Sequence, residues 1–136
     1  MQNPPPVQTV KSSTGLDENI AALLSYVFGW VSGLIFFLIE KDSRLVRFHA
    51  MQSILLNAFI LVAGIVIWII VFVLFLISTQ LPSIIGSLMG LIITLIWVVF
   101  SVGLLIAWIM CLIKAFQGQY FKLPVIGAFA EKFSTK

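Results

Sequence analysis

Hydrophobic positions in this chain run on without interruption instead of recurring at a helix or strand period. No Asp, Glu, Lys or Arg occurs from Phe48 to Ile113, a run of 66 residues. As a single helix that run would be about 100 Å long, roughly three times the hydrocarbon thickness of a bilayer. It must therefore cross, turn and cross back. The turn is expected at Ser78-Thr79-Gln80-Leu81-Pro82-Ser83, the polar cluster of the run, where Pro82 removes a backbone donor and disfavours helix at Leu81. This leaves spans over about 53–77 and 86–113. A second charge-free stretch, Asn19 to Ile39, has 21 residues and is bounded by Asp17-Glu18 and Glu40-Lys41-Asp42, enough for one more crossing. Lipid offers no partner for free backbone N–H and C=O groups, and the stretches are too long and non-alternating for barrel strands. The pattern predicts an all-α integral membrane protein with three transmembrane helices.

The flanks complete this picture. Gly118 reads as a helix stop, Tyr120-Phe121-Lys122 as an interfacial anchor, and Pro124 as the first-turn proline of a short helix over about 124–133. Val125, Ile126, Phe129, Ala130 and Phe133 would share one face of it, with Glu131 and Lys132 towards water, as in a C-terminal amphipathic helix lying at the membrane surface. Residues 1–15, with Pro4-Pro5-Pro6 and Ser12-Ser13-Thr14, are expected to be a disordered tail ahead of one transmembrane domain over 16–133. The first apolar stretch is read as a retained span. It is too long for a signal-peptide core, and no small-residue cleavage site follows Ile39.

Composition agrees: 61% of residues are hydrophobic and 10% charged, which excludes both a water-soluble globule and an intrinsically disordered chain. With three spans the basic residues divide seven to one, Lys41, Arg44, Arg47, Lys114, Lys122, Lys132 and Lys136 against Lys11. The positive-inside rule then puts the N-terminus outside the cell membrane and the C-terminus in the cytoplasm. The basic pI of 9.3 is thereby explained by topology and by attraction to anionic headgroups, and nucleic acid is not an expected partner.

Candidate chemistry gathers where the charged loop enters the second span. His49, Ser53 and Asn57 fall at i, i+4 and i+8, with Gln52 beside them and Arg47 just ahead, a polar stripe descending into the bilayer. Such groups either line a pathway or bond neighbouring helices. Ser25, Gly29 and Gly33 recur every four residues in the first span, and Gly86 and Gly90 open the third. These are candidate faces for close helix packing, within one chain or between copies. Cys111 is the single cysteine, expected to be a small packing residue, and Trp30, Trp68 and Trp97 are expected to pack between helices. The spans hold no carboxylate, and neither H-E-x-x-H nor G-x-S-x-G occurs, so no catalytic, metal or cofactor site is expected.

Several phrases carry a resemblance: Leu16-Asp17-Glu18-Asn19; Tyr26 with Gly29-Trp30 and Gly33; Glu40-Lys41-Asp42; Val46-Arg47-Phe48-His49-Ala50-Met51-Gln52-Ser53; and Lys114-Ala115 with Gly118, Tyr120 and Lys122-Leu123-Pro124-Val125-Ile126-Gly127. From about Leu16 to Lys132 the chain resembles a family of small, uncharacterised prokaryotic membrane proteins that is grouped with the twenty-kilodalton component of the chloroplast inner-envelope import translocon. The resemblance implies a family and no established activity, substrate or cofactor. Two functions are carried forward. One is a non-catalytic scaffold or accessory subunit, in contact with lipid and with other membrane proteins or further copies of itself. The alternative is an oligomeric pore or translocator for a small solute or polypeptide.

Overall fold

The computed structural model describes residues 10–135, which are helical in five segments: α1 (Glu18–Val27), α2 (Trp30–Ile39), α3 (Arg44–Ser78), α4 (Ser83–Phe116) and α5 (Ile126–Ser134). The chain divides into two compact units, one from residues up to Asn57 together with those from Met110 onward, the other Ala58–Ile109.

In the second unit, the helices break at the polar cluster. Backbone N–H groups of Gln80 and Leu81 close the end of α3 on Ile77 and Ser78, and Pro82 stands just before α4, where its missing N–H costs nothing. α3 and α4 have 35 and 34 residues and are both long and apolar enough to cross a membrane. No residue between 58 and 109 is buried. Trp68 is 59% exposed and stacks on Phe72 of its own helix, ring centroids 5.5 Å apart. Trp97 is half-buried, edge-on to Phe100 of its own helix.

The first unit corrects the three-helix expectation. The stretch 19–39 is not one helix but two of 10 residues each, α1 and α2, each about 15 Å long and so about half the hydrocarbon thickness. They are separated at Phe28-Gly29, where Gly29 has φ +61, a conformation that costs glycine nothing and other residues 1 kcal/mol or more. Polar groups close the break: the Phe28 N–H donates to Ser32 Oγ at 3.1 Å, and that hydroxyl reaches the Ser25 carbonyl at 3.0 Å. The chain then returns. Ser13, ahead of α1, donates its N–H and hydroxyl to the carboxylate of Glu40, beyond α2, at 2.8–3.1 Å. Ser43 Oγ donates to Glu18 Oε2 at 2.8 Å. α1 and α2 are thus a helical hairpin whose two ends meet. Trp30 is 56% exposed beside the hairpin tip, so the expectation of tryptophans packed between helices is corrected for Trp30 and Trp68.

Of the expected disordered tail, residues 1–9 lie outside the described residues. Residues 10–15 are ordered. Ser12 N–H bonds the Leu16 carbonyl at 2.8 Å and Glu18 N–H the Val10 carbonyl at 3.1 Å, around Gly15 at φ +82. This turn carries Ser13 to Glu40.

The C-terminal segment also belongs to this unit. α4 ends in a Schellman motif: Gly118 N–H bonds the Ala115 carbonyl and Gln119 N–H the Lys114 carbonyl, both at 3.0 Å, with Gly118 at φ +70. α5 starts at Ile126, two residues after Pro124. Val125 centres a γ-turn of positive φ, with Ile126 N–H on the Pro124 carbonyl at 2.7 Å. The buried face of α5 is Gly127, Ala130 and Ser134, and Phe129 and Phe133 are exposed and stacked at 6.5 Å.

Candidate functional site

The polar stripe is placed by α3. Ser43 caps that helix, its Oγ accepting the Val46 N–H at 3.3 Å. From there 3.6-residue periodicity stacks His49, Ser53 and Asn57 on the face that meets the hairpin.

His49 is fully buried. Its Nε2 lies 2.9 Å from the carbonyl oxygen of Gln119, which only accepts, so Nε2 carries the proton and Nδ1 is an acceptor. The Tyr26 hydroxyl, 2.9 Å from Nδ1, is therefore the donor in that pair, and it accepts from Gln52 Nε2 at 3.1 Å. The same amide nitrogen donates to the Phe121 carbonyl at 2.9 Å and lies 3.6 Å from Cys111 Sγ. Gln52 Oε1 accepts the Leu123 N–H at 3.4 Å. Gln52 and His49 thus join α1 to the segment between α4 and α5, and Cys111 is a buried residue packed against the Gln52 amide.

Deeper on α3, Ser53 bonds the hairpin tip, and Asn57 lies beside it with its Nδ2 donating to the Ser53 carbonyl of its own helix at 2.9 Å. Ser53 Oγ donates to the Gly29 carbonyl at 2.9 Å, and a Cβ on Gly29 would stand 3.1 Å from Asn57 Oδ1. A Cβ on Gly33 would stand 2.9 Å from the Ala50 carbonyl oxygen and 3.1 Å from Ser53 Cβ, so α2 and α3 approach closely there. Ser25 is buried, with its hydroxyl on the Ala21 carbonyl at 3.0 Å. Because the helix breaks at Gly29, Ser25 and Gly33 belong to two helices and form no continuous stripe. A Cβ on Gly86 would stand 3.0 Å from the Ser78 carbonyl oxygen of the turn, and one on Gly90 would meet nothing within 4 Å.

Arg47 ties the outer end of this unit together. Its Nη1 donates to the Glu40 carbonyl at 2.8 Å, its Nε to the Ser134 carbonyl at 3.2 Å, and its guanidinium lies 4.7 Å from the centroid of Phe37. Glu40 itself is fully buried. Burial pushes its carboxyl up, but the N–H groups of Ser43 and Ser13, the Ser13 hydroxyl and the Asp42 N–H together bring it from 4.5 down to about 2. No buried side-chain nitrogen or oxygen among the described residues lacks a hydrogen bond.

Sequence reasoning found the stripe and missed its partners. Tyr26, Glu40, Ser13 and the carbonyls of Gln119 and Phe121 gave no sign of converging. The available signal was Gly29 interrupting a stretch that also holds Ser25, Tyr26 and Ser32, too polar a sequence for the middle of a lipid-facing helix.

The magnetosome magnetite crystal formation protein family has a model that matches residues 15–130. The chain belongs to that family. Among its relatives, a UPF0132 membrane protein of Methanocaldococcus jannaschii is 40% identical over 124 residues, covering 91% of this chain and 94% of that one. A second from the same organism is 36% identical over 119 residues, covering 88% and 71%. One from Archaeoglobus fulgidus is 36% identical over 117 residues, covering 86% and 95%. No solved structure matches the chain. The family and these relatives accord with an uncharacterised prokaryotic membrane family and with a membrane location, and their names make no link to the plastid translocon.

Proposed function

We propose that this protein is a non-catalytic membrane scaffold, built from two spanning helices and a hairpin that enters the bilayer and returns, and that it holds a membrane assembly together. The observation that carries this reading is the internal use of the three buried members of the polar stripe. His49, Gln52 and Ser53 are buried, and their polar atoms bond Tyr26, Gly29, Gln119, Phe121 and Leu123. Groups spent in this way fix a shape; a pathway would need them turned to water. The carboxylate of Glu40 is likewise committed to Ser13, Asp42 and Ser43. If the family's association with magnetite crystal formation extends to this chain, these commitments favour a role in organising the membrane over a role in ligating iron.

The hairpin also favours a different topology from the one expected. With Ser13 bonded to Glu40, Lys11, Lys41, Arg44, Arg47, Lys114, Lys122 and Lys132 all belong to the unit that holds both ends of the described chain. The positive-inside rule then favours both ends in the cytoplasm.

Single cysteines at Lys11, Gln52 and Gln80, introduced into a Cys111→Ala background, test both parts. An impermeant maleimide on intact cells should label Gln80→Cys and leave Lys11→Cys untouched until the membrane is opened. Labelling of Lys11→Cys from outside would restore the three-crossing arrangement. Gln52→Cys should resist the reagent from both faces, and its reaction with the reagent would favour the pore. Purification in mild detergent should return a stoichiometric membrane partner; recovery of the protein alone, under conditions that preserve other complexes, would overturn the scaffold reading.

A further inference from the structure

Lys41, Arg44 and Arg47 stand around a cleft of about 310 Å³ whose other wall is Ser134 and Thr135. Arg44 and Arg47 are three residues apart on the first turns of α3 and so share a face, and Lys41 enters just before that helix. Arg47 is held in place by the Glu40 and Ser134 carbonyls. Lys41 and Arg44 are exposed, and neither has an ion-pair partner among the described residues.

The acids nearest in sequence are committed elsewhere. Glu40 accepts the N–H groups of Ser13, Asp42 and Ser43, Glu40 Oε1 and Asp42 Oδ2 share the Ser13 hydroxyl, and Glu18 Oε2 accepts the Ser43 hydroxyl. The positive end of the α3 dipole adds to the same field. The Ser134 and Thr135 hydroxyls donate to carbonyls of their own turn, so recognition rests on the exposed Lys41 ammonium and Arg44 guanidinium, with the charge of Arg47 behind them. Fork-shaped guanidinium groups beside a lysine suit a tetrahedral phosphate.

Apolar side chains border the cleft in sequence on both walls. Leu38 and Ile39 precede Lys41 and are 67% and 49% exposed, and Phe133 precedes Ser134 and is 43% exposed. Charge next to an exposed apolar surface is the arrangement that receives a lipid headgroup together with its acyl chains.

We propose that this cleft binds a phosphate ester, supplied by the headgroup of an anionic phospholipid. The site is separate from the buried His49, Gln52 and Ser53 and does not depend on the scaffold reading. Native mass spectrometry of the full chain, titrated with phosphatidylglycerol or phosphatidylcholine, tests it, with inorganic phosphate as competitor. The wild type should bind phosphatidylglycerol at least tenfold more tightly than phosphatidylcholine. The Lys41→Gln/Arg44→Gln variant should lose that preference with its thermal midpoint unchanged, because neither side chain has a bonded partner. A Lys114→Gln/Lys132→Gln control, which removes the same charge from two residues that do not line the cleft, should stay within twofold of the wild type. Equal loss in the control, or none in the cleft variant, would overturn the site. Displacement of the lipid by submillimolar phosphate would keep the phosphate chemistry and overturn the lipid source.

Discussion

The two units of this protein invert each other's use of side chains. Residues 10–57 and 110–135 contribute every buried side chain, polar and apolar alike, whereas residues 58–109 bury none. In the latter segment Leu61 is 65% exposed and Val99 71%. In water such a surface would be an aggregation site, but against acyl chains an exposed leucine sacrifices nothing. Shape is therefore specified in two ways. The apolar segment needs only length and hydrophobicity, and many sequences would serve. The polar unit needs particular donors opposite particular acceptors, and few would.

The largest expected effect comes from putting the chemistry of one region into the other. Gln52→Leu removes the donor to Tyr26 and to the Phe121 carbonyl and the acceptor of the Leu123 N–H. Each polar group left unsatisfied in a buried site costs about 1–3 kcal/mol; the Tyr26 hydroxyl keeps its bond to His49, so the Phe121 carbonyl and the Leu123 N–H are stranded and the sum should be about 2–6 kcal/mol. Val99→Ala, which deletes two methyl groups at a position 71% exposed, should change stability by less than about 1 kcal/mol, since that side chain meets hydrocarbon before and after unfolding within the membrane. Reversible unfolding of both variants in mixed micelles would measure the gap, and equal losses would erase the contrast.

Glu40 gives the polar unit a pH dependence that the apolar segment cannot have. Its carboxyl titrates at about 2 in the folded protein against 4.5 ordinarily. A depressed carboxyl stabilises the fold fully above the unfolded value and loses that contribution as pH falls through the folded one, so the loss should run from pH 4.5 down to about 2. At 1.36 kcal/mol per unit the total is about 3 kcal/mol. Glu40→Gln should lose most of this at pH 7 and flatten the acid limb of the stability profile. A variant with an unchanged acid limb would show that the carboxylate is not what the Ser13 turn holds.

The same contrast explains what could be read from the sequence. The two long helices, the turn at Pro82 and the helix stop at Gly118 follow from uninterrupted hydrophobicity and from residues with one strong local preference. The stripe His49-Ser53-Asn57 follows from helical periodicity. The hairpin does not, because 21 charge-free residues satisfy the length rule for a crossing as well as they satisfy two helices of 10. What decides between them is long-range: Ser13 finding Glu40, and Ser53 finding the Gly29 carbonyl. Tyr26 reads as an ordinary aromatic in an apolar stretch until Gln52 and His49 are brought to it by another helix. Hydrogen bonds spanning more than 20 residues leave no periodic trace, so the partners of the stripe were hidden although its members were not.

Glycine offers the finest comparison, because one substitution should cost stability in one region and none in the other. A Cβ at Gly33 would meet the Ala50 carbonyl oxygen at 2.9 Å, and one at Gly118 would meet Asn19 Oδ1 at 2.9 Å on a backbone already at φ +70. Gly33→Ala must separate α2 from α3 and should cost about 2 kcal/mol; Gly118→Ala should cost about 1–2 kcal/mol from the left-handed conformation alone. At Gly64, Gly90 and Gly103 a Cβ meets nothing within 4 Å. Alanine there gains helix propensity, worth up to about 1 kcal/mol in water. Lipid keeps these segments helical even when their tertiary contacts are lost, so part of that gain is already present in the reference state, and Gly90→Ala should be neutral to slightly stabilising. Thermal midpoints for the five variants should therefore fall into two groups, clear losses at Gly33 and Gly118 and no loss at Gly64, Gly90 and Gly103. A clear loss at Gly90 would mean that the helix face it occupies is covered by another chain, and the apolar segment would then share the polar unit's dependence on specific contact.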